Sequence, residues 1–135
     1  MGTRSTIALE FADNTVEQVY CHWDGYLSNN GQILHKHYQD PFKVRDLIDL
    51  GGFSSLETSV EGTAATAYTQ RGEDISIEKF KDYSDYIENH QYEEYEYILR
   101  RDGIWYVKCH DAAYVPLADA IADELIREAM QEETL

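Results

Sequence analysis

Apolar and polar positions alternate from the start of the chain. In Ser5–Phe11, Ile7, Leu9 and Phe11 recur at every second place, the period of a strand with one buried face. Ala12-Asp13-Asn14-Thr15 breaks the pattern with residues that tolerate left-handed backbone, and Val16–Trp23 resumes it. The two runs are predicted to pair as a β-hairpin. Gly25–Asn30 reads as a loop and Gly31–Tyr38 as a helix. Asp40-Pro41 then opens a second helix, with Asp40 as its N-cap and Pro41 in its first turn. Phe42, Val44, Leu47, Ile48 and Leu50 form its apolar side, and Gly51-Gly52 ends it.

The middle of the chain is less regular. Ala64–Thr69 suits a short strand, and Glu78–Gln91 one or two short helices, with Phe80, Tyr83 and Ile87 at helical spacing. Regularity returns in Tyr95–Arg100 and Ile104–Cys109, which flank Arg101-Asp102-Gly103 and are predicted to form a second hairpin. Pro116 opens the longest helix, to about Glu132, with Leu117, Ile121, Leu125 and Ile126 as its buried side. Ala118, Ala122 and Ala129 allow it close approach to a neighbour.

Two hairpins, each followed by a helix, predict an α+β fold. Its economical form is a four-stranded antiparallel sheet with helices mainly on one face, in a single domain spanning 1–135. The two units echo one another: Cys21-His22-Trp23-Asp24 closes the first hairpin and Cys109-His110-Asp111 the second. Similar local construction accounts for this more readily than duplication does.

Charge adds a bias that patterning does not show. Acids number 26 and bases 11, a net of -15. Met1–Gly72 carries -4, Glu73–Asp102 carries -6 and Gly103–Leu135 carries -5, so the acid is weighted toward the second half. Such a surface repels phosphate and attracts basic partners, which argues against direct nucleic-acid binding through a broad basic face. No basic segment followed by an apolar run suggests a signal peptide. No apolar run approaches the roughly 20 residues of a membrane span. The expected location is the cytoplasm.

Candidate chemistry is sparse. The Cys-His pairs supply zinc-type ligands, but adjacent strand residues point to opposite faces, so one ion cannot easily take both members of a pair. The cysteines are expected to face the helices, Cys21 with Val19 and Trp23, Cys109 with Trp105 and Val107. Tyr20, His22, Tyr106, Lys108 and His110 then share the opposite face. His22 with Asp24 and His110 with Asp111 are candidate base-carboxylate pairs, and Cys21 is a nucleophile only if exposed and ionised. No phosphate loop, nucleophile elbow or zinc-protease motif occurs, so no catalytic residue, metal or cofactor is assigned.

The acids are better organised. Glu124, Glu128 and Glu132 recur every four residues on the last predicted helix, beside Asp119 and Asp123. Like charges at this spacing destabilise a helix by roughly 0.2–0.5 kcal/mol per pair. Helical neighbours roughly 5–6 Å apart can imitate phosphates along a strand. Glu88, Glu93, Glu94 and Glu96 interleave with Tyr92, Tyr95 and Tyr97, a pattern of acid plus aromatic that can imitate phosphate plus base.

Gly2-Thr3-Arg4-Ser5-Thr6-Ile7-Ala8 and Val19-Tyr20-Cys21-His22-Trp23-Asp24-Gly25-Tyr26 resemble a family of small, largely uncharacterised proteins of tailed bacteriophages and prophages. Leu47–Leu56 and the Tyr95–Val107 hairpin are also similar. Gln70-Arg71-Gly72-Glu73 is shorter than the family's usual Arg-Asp-Arg-Gly-Glu. The resemblance covers about two thirds of the chain and brings no assigned catalytic residue. It implies a phage gene product acting in bacterial host cytoplasm, where small acidic accessory proteins often disarm CRISPR or restriction systems.

The leading expectation is an inhibitor of a host defence system that binds a basic nucleic-acid-handling protein or nucleoprotein complex. Glu88, Tyr92, Glu93, Glu94, Glu96, Asp119, Asp123, Glu124 and Glu128 are its candidate contacts. The alternative is a small-ligand binder, such as a nucleotide-signal sponge, using Arg4, His22, Arg71, Lys108 and His110 around an anion. Homodimerisation is compatible with either expectation.

Overall fold

The middle of the sheet is the first strand, β1 (Ser5–Glu10), all six residues of which are buried. The computed structural model describes residues 3–133. β1 pairs antiparallel with β2 (Val16–Cys21), from Ser5 opposite Cys21 to Glu10 opposite Val16. Its other edge pairs parallel with β4 (Tyr95–Leu99), which pairs antiparallel with β5 (Trp105–Cys109). Two short strands, β3 (Glu78–Phe80) and β6 (Val115–Pro116), extend the sheet to the order β3-β2-β1-β4-β5-β6.

Both predicted hairpins are present, but the four-stranded antiparallel sheet is not. The sheet is six-stranded and mixed. The long connection from β2 to β4 returns the chain so that β4 runs alongside β1 in the same direction. β3 and β6, with three and two residues, are too short to show a period of two. Within the predicted helical stretch 78–91, Phe80 belongs to β3, and only Tyr83–Asn89 (α4) is helical. The expected strand Ala64–Thr69 is instead the end of α3 (Val60–Ala64), a single bridge at Ala67 and a 3-10 turn at Tyr68–Arg71.

Helices cover both faces unequally. One face carries Ile7, Leu9, Val19, Cys21, Tyr97, Leu99, Trp105 and Val107. It packs against α1 (Gln32–His37), α2 (Pro41–Ile48) and the start of α5 (Leu117–Glu133). α2 begins as its sequence demands: the Asp40 carboxylate accepts from the Phe42 N–H at 2.9 Å, with Pro41 in the first turn. Gly51, at φ +75°, supplies the left-handed residue just beyond its end. Phe42 is exposed rather than part of the apolar side.

The other face carries Ala8, Val16, Phe80 and Ile98, covered by Tyr86 of α4. The small Ala8 lets this layer sit close. α5 departs most from its expected packing. Leu117, Ala120 and Ile121 are buried, but Leu125, Ile126 and Met130 are 54%, 57% and 61% exposed. Its second half therefore runs out beyond the body of the protein. No helix is long and apolar enough to cross a membrane among the described residues.

Candidate functional site

Strand register lines up four sequence-predicted residues at one end of the α4-side face. Thr6 lies opposite Tyr20 on one side and Glu96 on the other, and Glu96 lies opposite Lys108. One residue pair further along, the Tyr95 N–H donates to the Arg4 carbonyl and the His110 N–H to the Glu94 carbonyl. By alternation Arg4 and Glu94 share the face of Thr6 and Glu96. His22 joins them, its Nδ1 2.8 Å from the Tyr20 hydroxyl. Arg4, His22, Lys108 and His110 therefore gather from three strand ends, the start of β1 and the ends of β2 and β5. Arg71 stands apart on the 3-10 turn, paired with Glu73 at 2.9 Å and lying 4.6 Å from the Tyr68 ring centroid.

The segment after α4 crosses this end and brings the acid-aromatic cluster with it. Tyr92, Glu93, Glu94, Glu96, Lys108, His110 and Asp111 surround an open cleft of about 580 Å³. A neighbouring cleft of about 370 Å³ lies toward β2 and β3, lined by Arg4, Gln18, Tyr20, Tyr68, Glu78 and Glu93 among others. Glu93 stands between the two. Burial pushes its carboxyl above the usual range, Arg4 opposes that, and Glu94 and Glu96 reinforce it.

Glu96 is not a surface acid. It is 1% exposed and bonded to His90 Nε2, and the Tyr114 hydroxyl donates to the same oxygen at 2.7 Å. Tyr86 reaches the Tyr114 hydroxyl at 3.2 Å, and the His90 ring stacks on Tyr86 with centroids 4.3 Å apart. This buried network fastens the end of α4 to β4 and takes Glu96 out of any surface row of carboxylates. His90 carries no motif that would have marked it in the sequence.

The helical acids lie elsewhere. α5 packs on the opposite face of the sheet, so Asp119, Asp123, Glu124 and Glu128 do not form one continuous surface with Glu93 and Glu94. Glu88, on α4, is exposed apart from both. The two groups approach around the start of β4. There burial raises the Tyr95 hydroxyl, and Cys109, Glu124 and Glu94 add to the effect. Among the described residues, none of Asp119, Asp123, Glu124, Glu128 and Glu132 forms an ion pair.

Cys21 and Cys109 share the helix-covered face in one row, separated by Ser5 and Tyr95. Three strand spacings put them roughly 14 Å apart, too far to share one metal ion. Cys21 is fully buried, and burial pushes its thiol up to about 11 despite a hydrogen bond from Asn30. A thiol in that state is not a nucleophile at neutral pH. Trp23, beyond the strand, is 42% exposed rather than part of this face's core. The echo of the two units fails in the backbone as well: positive φ falls at Asp24 in the first and at His110 in the second.

Sequence reasoning passed over Gln18, Tyr68, Glu78 and Gln91, which line the second cleft. Gln18 carried a usable signal, being a long polar side chain on the non-core side of a strand. Compared with protein-family models, curated proteins and solved structures, the chain matches none.

Proposed function

We propose that this chain is a binding protein that engages a basic surface of a nucleic-acid-handling partner and acts as an inhibitor by occupying the place of nucleic acid. The observation that carries this is α5. Its five acids from Asp119 to Glu132 make no ion pair among the described residues, and its second half leaves the protein body. Carboxylate repulsion that Arg127 alone relieves locally disfavours the isolated helix. A cationic partner surface reverses that term.

The same stretch exposes Leu125, Ile126 and Met130. A partner that meets it therefore combines cationic side chains with apolar area, the usual make-up of a protein interface. The N-terminal resemblance to phage and prophage proteins directs the search to host defence complexes, CRISPR effectors and restriction enzymes first.

The test is competition. Candidate complexes are mixed with the chain and with their own nucleic acid, at low and high salt. The expected result is mutual exclusion that weakens as salt rises, and its loss on combining Asp119→Asn, Asp123→Asn and Glu128→Gln. Simultaneous binding of chain and nucleic acid, or binding indifferent to salt and to these substitutions, would overturn the reading.

A further inference from the structure

We propose that the cleft between Arg4 and Glu78 receives the guanidinium group of an arginine from the protein's partner, an inference that rests on reading that partner as a basic protein. The cleft's floor is Gln18, which is 1% exposed. Its Nε2 donates to Glu78 Oε1 at 3.2 Å, and its Oε1 has no hydrogen-bond partner. A buried acceptor without a donor is costly, so this oxygen marks a place where an N–H group is missing.

The walls ask for the same chemistry. Glu78 and Glu93 present carboxylates, and Glu93 makes no hydrogen bond or ion pair among the described residues. Tyr20 and Tyr68 stack 6.4 Å apart at 27°, giving the cleft an aromatic side. Arg4 is the opposing charge, and two carboxylates against one guanidinium leave the cleft negative. An anion is therefore disfavoured here, contrary to the anion pocket that Arg4 suggests from sequence. A flat cation with several N–H groups fits. Guanidinium offers five donors in one plane and stacks on aromatic rings, whereas ammonium is a compact point charge.

The same sheet face already contains this combination in completed form. At its other end the Arg100 guanidinium lies 3.5 Å from the Tyr83 ring centroid and donates to Glu10 at 2.8 Å. Tyr68 likewise accepts the Arg71 guanidinium. The cleft repeats the carboxylate and the tyrosine, adds a buried unpaired acceptor, and has no guanidinium seated on its floor.

The experiment titrates the full chain with acetyl-Gly-Arg-Gly-amide, followed by NMR of the Gln18 side-chain amide and the Tyr20 ring. Peptides with lysine or with citrulline, the uncharged isostere, serve as comparisons. The arginine peptide is expected to shift both signals, and citrulline to bind about tenfold more weakly or worse. Glu93→Gln weakens binding, and Arg4→Ala strengthens it by removing a like charge. Glu93 is only half-buried, so this variant is expected to fold, which circular dichroism checks. An unshifted Gln18 amide, equal binding of citrulline, or indifference to Glu93→Gln overturns the proposal. The α5 triple variant separates the two readings: it retains the peptide if the cleft is correct, whether or not α5 meets the partner.

Discussion

His90 sits between two hydrogen-bond acceptors. Its Nδ1 faces the Tyr86 carbonyl and its Nε2 faces a carboxylate oxygen of Glu96. The Tyr114 hydroxyl donates a hydrogen bond to Glu96, so the Tyr86 hydroxyl donates to that of Tyr114. Burial pushes the Glu96 carboxyl up, but hydrogen bonds from His90 and Tyr114 and the charges of His90 and Lys108 hold it below the usual range. A carboxyl held lower in the folded than in the unfolded chain stabilises the fold above its unfolded value. That stability is lost as pH falls through the folded value, below about 4.3. Glu10 follows the same sign, raised by burial and lowered by Arg100 and Arg101. Urea midpoints are therefore expected to drop on acidification below this range. Glu96→Gln is expected to flatten that drop while costing about 1–3 kcal/mol at neutral pH, since it disrupts the buried hydrogen bonds that Glu96 makes with His90 and Tyr114. Unchanged midpoints in the variant would show that the pair contributes nothing.

The two cysteines are expected to differ in reactivity. Native protein treated with a thiol reagent at neutral pH is expected to leave Cys21 unmodified until unfolded. Cys109, half-buried with its thiol also raised by burial, reacts slowly. Mass spectrometry of native and denatured samples decides this.

Helix α5 divides its residues more sharply than its sequence suggests. Ile121→Ala is expected to cost about 2–5 kcal/mol, because the side chain is 7% exposed within the main core. Leu125→Ala, four residues on, should stay within about 0.5 kcal/mol. Equilibrium urea unfolding of both variants tests where the helix leaves the body. Period alone could not place this boundary, since 117, 121 and 125 have the same apolar spacing and only the length of the sheet beneath decides which is covered. The hairpins were legible because each is closed by its own turn and needs no distant partner. The β1–β4 seam was not, since nothing local states which edges of two hairpins meet. The site divides the same way. Alternation set Tyr20, His22 and Lys108 on one face, as the register and the Tyr20–His22 contact have them. Gln18 and Glu78 are sixty residues apart, and only β2–β3 pairing unites them.

Over the whole molecule the net of -15 sets a self-repulsion that salt relieves. Raising ionic strength from 0.01 to 0.1 M shortens the screening length from about 30 to about 10 Å. The melting temperature is expected to rise over that range, as scanning calorimetry would show. A fall would mean that the few ion pairs outweigh the repulsion.

The parallel seam also governs how the chain reaches this state. Ser5 pairs with Tyr95, ninety residues away, yet β1 is the centre of the sheet. During synthesis the first hairpin is complete long before its neighbour exists, and Ile7 and Leu9 wait beside an unpaired edge. Loop closure over that distance must precede any return from the pairing, which slows folding and lengthens exposure to aggregation. A stalled or truncated product ending before Tyr95 lacks the partner of β1, so it should be found with chaperones or in the insoluble fraction rather than as a smaller folded protein.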